Sequence, residues 1–314
     1  MSDLLRRALP AYGLAEDTPL TLLNRSENET WRAGDLVLRL HRQGYHTRPE
    51  IASELAWLTA LQDLPGLKAV RPIPGTQGFV TELDGRFLVA FTPIEGQELQ
   101  PGDDLSRRFA PLGEITARLH LHARQWTPPQ GFTRKRWDVE TILGPQPHWG
   151  HWRQAQGLDA PGESLLARAT DALAARLTAY GTGPDTFGLI HADLRLANLM
   201  VNGDRLTAID FDDCGFGWWA YDLASALSFI ETDPRLPDLI AAWVEGYTSI
   251  APLRPQDRAM IPSLIFLRRV LLTAWLSTRA DSDTALSLGG PAYTQGTLDL
   301  AERYLTDGLA TFLP

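Results

Sequence analysis

Asp193, Asn198 and Asp210 are the residues on which chemistry can be built. Asn198 follows Asp193 by five positions, and Asp210 follows Asn198 by twelve. Between them Leu199-Met200-Val201 reads as a strand, Asn202-Gly203 as a tight turn, and Leu206 to Ile209 as the returning strand. Such a hairpin would bring Asp210 back beside the loop that carries Asp193 and Asn198, so two carboxylates and an amide converge. Phosphoryl transfer from ATP needs that set. A carboxylate orients the attacking hydroxyl and accepts its proton, and hard oxygen ligands hold Mg2+ against the phosphates. The expectation is Asp193 as the base and Asn198 and Asp210 as metal ligands.

The run His191-Ala192-Asp193-Leu194, three residues, Asn198, followed by Ile209-Asp210-Phe211-Asp212, resembles the aminoglycoside phosphotransferase/choline kinase family of the kinase-like superfamily. Asp212-Asp213 and Tyr221-Asp222-Leu223-Ala224 are similar to the branch that contains type II homoserine kinases and RdoA-type Ser/Thr kinases. The resemblance implies an α+β, protein-kinase-like bilobal fold. Residues 1–95 would form a small antiparallel-sheet lobe for the nucleotide, and residues 96–314 a mostly helical lobe for the catalytic loop, metal and acceptor.

It also implies roles outside the triad. Arg39 falls where the family usually carries a strand Lys that reaches the nucleotide phosphates. This is a departure, although Arg also binds phosphate well. Glu54 is then the helix carboxylate that positions Arg39. The turn around Ser26 and Asn28 occupies the place of the phosphate-covering loop, without its usual glycines. Backbone near Thr92 and Ile94 would meet the adenine. His191 holds loop backbone rather than acting as an acid, and Asp222 braces the loop. Arg195 neutralises charge in the transition state, binds an anionic acceptor, or is solvated. Asp212 and Asp213 either hold an acceptor amine or extend metal binding.

The elements that must position these residues follow in order. Residues 3–12 read as a short helix, and strands are expected at 20–23, 30–32 and 36–41. A helix runs over 50–61 with Pro49 in its first turn, and Ile51, Leu55, Leu58 and Leu61 fall on one stripe. A hairpin spans 79–91, with a hinge at 92–96. Helices are expected at 105–123, 164–180, 218–230, 235–250, 256–280 and 293–312. His120 and His122 lack a third nearby ligand, so they are core or surface histidines. The segment 126–162, with Trp137, Trp149 and Trp152, either covers the acceptor pocket or packs aromatically on the large lobe.

A net charge of −9 argues against a nucleic-acid or anionic-membrane partner. The single cysteine, Cys214, excludes an intrachain disulfide framework. The N-terminus lacks a signal-peptide core and no run reaches the length of a membrane span, so a cytoplasmic protein is expected. The leading function is an ATP- and Mg2+-dependent kinase of a small-molecule hydroxyl, with aminoglycoside, homoserine or choline-like acceptors. An RdoA-type Ser/Thr protein kinase is the alternative, and a non-catalytic nucleotide-binding module ranks third.

Overall fold

The computed structural model describes residues 2–25 and 28–313. The chain divides into two compact units. The first is Met1–Gln97 with Trp126–Lys135 and Met200–Asp212; the second is Glu98–Gln125 with Arg136–Leu199 and Asp213–Pro314.

In the first unit, helix α1 (Ser2–Ala8) precedes strands β1 (Leu20–Arg25), β2 (Glu29–Ala33) and β3 (Leu36–Leu40), helix α2 (Arg48–Ala60), and strands β4 (Pro72–Ile73), β5 (Thr81–Leu83) and β6 (Arg86–Phe91). The sheet is antiparallel, ordered β1-β2-β3-β6-β4, with β5 also on β6. Leu38, Leu40, Leu88 and Ala90 pack with Leu5 and Leu9 from the N-terminal helical segment. The register sets Arg39 between Thr30 and Val89. Helix α2 opens on a capping box: Thr47 Oγ1 accepts from the Glu50 amide, and Glu50 Oε2 accepts from the Thr47 amide at 2.7 Å. That arrangement satisfies two amides at the helix start. The helix buries Ile51, Leu55 and Leu58, but also Ser53, Glu54 and Trp57. Its buried face is therefore wider than a single apolar stripe. At the end of the sheet Gly96 has φ +147°, and a Cβ there would stand 2.6 Å from the Val201 carbonyl, so only glycine fits.

The remaining elements are β7 (Gln97–Glu98), α3 (Ser106–Gln125), β8 (Arg136–Trp137), α4 (Val139–Leu143), α5 (Ala160–Tyr180), β9 (Phe187–Ile190), β10 (Leu199–Asn202), β11 (Arg205–Ala208), β12 (Gly215–Trp218), α6 (Tyr221–Ala226), α7 (Leu236–Ile250), α8 (Pro255–Thr278), α9 (Asp283–Leu288) and α10 (Gly290–Asp307). The chain passes from the second unit to the first within β10. In the second unit β8, β12 and β9 form a small sheet. Helices α3 and α7 cross so closely that a Cβ on Gly246 would stand 1.9 Å from the Ala110 carbonyl.

Three expectations need correction or refinement. The helix expected over 218–230 is only α6. Trp218 belongs to β12 opposite Phe187, and Phe229 at φ +70° lies outside helical geometry. Helix α8 is long and apolar enough to span a membrane, contrary to expectation, yet most of it is buried inside the fold, as a core helix would be. The Trp-rich segment divides: residues 126–135 join the first unit and the rest the second. Trp137, Trp149 and Trp152 are all buried, and Trp137 and Trp149 pack edge-on with centroids 5.2 Å apart.

Candidate active site

The loop after β9 is fixed from beneath by α6. Asp222, fully buried, accepts from the His191 amide at 3.1 Å and the Ala192 amide at 2.7 Å. It also meets His120 Nε2 at 3.1 Å, and His120 Nδ1 meets the Tyr247 hydroxyl. His120 is thus a core histidine. Ser225 Oγ accepts from the Leu194 amide at 2.8 Å. Ala192 is held at φ +67°, a strained conformation for a residue with a side chain. His191 is buried, and its Nδ1 accepts from the Asp193 amide at 3.3 Å.

Asp193 is the centre of this loop. Asn198 Nδ2 donates to Asp193 Oδ2 at 2.8 Å and to its carbonyl at 2.9 Å. The amide nitrogen is thereby committed, so the Asn198 side-chain oxygen is the atom that could hold a metal. Arg195 Nε lies 3.3 Å from Asp193 Oδ2, and Arg268 Nη2 donates to Oδ1. Burial would raise the Asp193 carboxyl's pKa, but Arg268, then Arg195 and His191, hold it below the usual carboxylate range. Burial opposes the charge of Arg268 in the same way. The neighbouring Tyr221 and Asp193 outweigh it, and Arg268 stays cationic.

A second cluster lies wholly within the first unit. Arg39 Nη2 reaches both Glu54 oxygens, at 2.6 and 2.5 Å. Nη1 donates to Asp210 Oδ1 at 3.0 Å, and Asp212 Oδ1 is 3.8 Å from Nη2. The guanidinium carbon sits 5.1 Å from the Phe91 ring centre. Asp212 accepts from Asn28 Nδ2 at 2.8 Å and meets His46 Nε2 at 3.3 Å and His41 Nδ1 at 3.5 Å. Despite burial, Arg39, His46 and His41 hold its carboxyl well below the usual range. Burial and then Arg39 push His41 down to about 3. Asp210 has φ +60° and a side chain 35% exposed, the open position among these carboxylates.

The other expected residues fall as follows. Ser26 lies outside the described residues. Asn28 spends its amide on Asp212 and accepts from the Arg42 amide at 3.0 Å, so its side chain braces rather than reaches outward. Thr92 and Ile94 line a cavity of about 320 Å³ with Gln62, Lys68 and Arg71, and the Thr92 amide donates to the Arg71 carbonyl at 3.0 Å. The Asp213 carbonyl accepts from Trp137 Nε1 at 2.9 Å. Cys214 is buried. Sequence reasoning missed Arg268, His41 and His46, Arg134, whose Nη2 donates to the Asp212 carbonyl, and the buried pair of Arg269 with Glu231 at 2.8 Å. The available signal was Arg268-Arg269 inside the apolar run 264–272, since guanidiniums buried in a core helix need carboxylate partners.

This donor set carries the hallmarks of a phosphotransferase, and residues 21–259 match the model of the phosphotransferase enzyme family. The chain belongs to that family. The structure of a microcompartment-associated aminopropanol kinase is similar, with 43% identity and a TM-score of 0.89, covering 96% of this chain and 97% of that one. A homoserine kinase of Gluconobacter oxydans is 30% identical over 79% of this chain and 78% of its own length. The amicoumacin kinase of Bacillus subtilis is 24% identical over 90% and 86%. The fold is the protein-kinase-like α+β fold, and the protein is a small-molecule phosphotransferase.

Proposed function

We propose that this phosphotransferase is a cytoplasmic kinase of a short amino alcohol, moving the γ-phosphate of Mg-ATP to the alcohol's hydroxyl. One observation carries the reading: 43% identity to an aminopropanol kinase across 96% of the chain, with the Asp193, Asn198 and Asp210 motif intact.

Asp193 is the base. Its low pKa makes it a weak proton acceptor, which suits a loose transition state in which the proton leaves late and orientation matters most. Arg195, beside Asp193, supplies positive charge where the transferring phosphate gathers negative charge. Magnesium fits hard oxygens, and we assign it to Asn198 Oδ1 and the exposed Asp210 carboxylate on their chemistry and their places in the motif. When bound, the ion neutralises phosphate charge. Arg39, oriented by Glu54, is assigned to the nucleotide phosphates, and backbone near Thr92 and Ile94 to the adenine. Asp212 is engaged by Arg39, Asn28 and His46. The acceptor's ammonium is assigned to Asp213 on its place in the motif, next to that carboxylate.

The test is a screen with Mg-ATP and aminopropanol, homoserine, choline and an aminoglycoside, following ADP release and the phosphate ester by mass spectrometry. Aminopropanol should give the highest kcat/KM. Transfer to homoserine or another acceptor with none to aminopropanol would overturn the assignment.

A further inference from the structure

We infer that Arg268 is a positioning residue for the reaction: it fixes Asp193 so that Oδ1, and not Oδ2, takes the acceptor's hydroxyl proton. This rests on the reading of Asp193 as the base. A carboxylate offers about four lone-pair sites, two on each oxygen. Oδ2 already accepts from Asn198 Nδ2 at 2.8 Å and Arg195 Nε at 3.3 Å. Oδ1 accepts from Arg268 Nη2, which leaves one site for the hydroxyl.

Arg268 is built for this task. It comes from α8, 75 residues away in sequence, and is 1% exposed. Its Nη1 donates to the carbonyl of the strained Ala192 and to the Tyr221 hydroxyl, each at 3.4 Å. Nε donates to Ser228 Oγ at 2.9 Å, and the guanidinium lies 5.2 Å from the Trp149 ring centre. One rigid plane therefore holds the loop backbone and one carboxylate oxygen together. As the acceptor oxygen bonds to phosphorus and the bond to the β-phosphate oxygen breaks, the hydroxyl proton passes to Oδ1 and ADP leaves. Misplacing a reacting group by about 1 Å can cost roughly a hundredfold in rate. Charge alone would not suffice, because a Lys ammonium cannot span Asp193, Ala192 and Ser228 as a planar fork does.

The test compares Arg268→Lys, Asp193→Asn and the double variant. Transfer to aminopropanol is measured, with slow ATP hydrolysis to water as the second readout, and nucleotide affinity is measured by titration. Arg268→Lys should lower kcat about tenfold or more with ATP affinity within about twofold. Asp193→Asn should lower it roughly a hundredfold. The double variant should be no slower than Asp193→Asn, because Arg268 acts through that carboxylate. Parent kcat in Arg268→Lys, or a fully additive double loss, would overturn the inference. Parent kcat in Asp193→Asn would instead remove the base assignment on which it rests. Should Arg268→Lys fail to fold, Tyr221→Phe and Ser228→Ala loosen the same guanidinium without touching its charge. Each should lower kcat about threefold or more at unchanged ATP affinity, and parent kcat in both overturns the inference equally.

Discussion

Replacing Glu54 by Gln tests whether the Arg39 cluster is held by charge or by shape. Glu54 is fully buried, and the Arg39 side chain is 5% exposed. Both Glu54 oxygens lie within 2.6 Å of Nη2. Glutamine keeps the shape but turns one acceptor into a donor facing the guanidinium. One charge-assisted bond is lost, about 1.5–3 kcal/mol, and a donor–donor contact replaces it. The expected destabilisation is about 3 kcal/mol, at the low end for breaking a buried ion pair. Urea unfolding followed by tryptophan fluorescence reads it directly. The double variant Arg39→Met/Glu54→Met sharpens the test. An isolated buried pair replaced by apolar residues is often neutral. Here Asp210 at 3.0 Å and Asp212 at 3.8 Å also lean on Arg39, so the double variant should remain destabilised by about 2 kcal/mol or more. A loss below about 1 kcal/mol in Glu54→Gln, or parent stability in the double variant, would refute an Arg39 shared by three carboxylates.

If Asp210 holds the metal as proposed, Asp210→Asn should reduce Mg-ATP turnover at least about a hundredfold while circular dichroism reports an unchanged fold, since it removes one charge of the proposed site. Asp222→Ala takes the acceptor from two backbone amides and His120, so it should cost about 3 kcal/mol and speed hydrogen exchange at His191 and Ala192. Acid should destabilise the protein through His41. Burial, then Arg39, hold its pKa at about 3 when folded, against 6.5 for an unperturbed imidazole. Between those values the unfolded chain binds more protons. Stability should therefore fall as pH drops below about 6.5, by up to about 1.4 kcal/mol per pH unit, and His41→Gln should flatten that slope in urea titrations.

What the sequence makes readable is what short range determines. The strand–turn–strand after Asn198 follows from short apolar runs on either side of the Asn202-Gly203 turn, and the structure has β10 and β11 there, with Gly203 at φ +60°. Glu54 could be paired with Arg39 on paper because the family resemblance implies a helix carboxylate that positions the strand cation, and the side chains meet at hydrogen-bond distance. The length of α6 was not readable. Trp218 and Phe229 look helical by composition, yet pairing with β9 takes the first and a left-handed backbone conformation removes the second.

The buried cations show where such reading stops. Arg268 lies within a helix whose composition would serve a membrane span, and no local pattern says which carboxylate it meets. Only the folded chain supplies Asp193 for Arg268 and Glu231 for Arg269, the latter at 2.8 Å with the Tyr293 ring 3.4 Å from the guanidinium carbon. A buried guanidinium without its carboxylate would cost several kcal/mol, so two adjacent arginines in an apolar run already require two buried acids elsewhere. That requirement is local information about a distant contact. Applied to residues 264–272, it calls for two buried carboxylates before any coordinates, and the folded chain then supplies Asp193 and Glu231.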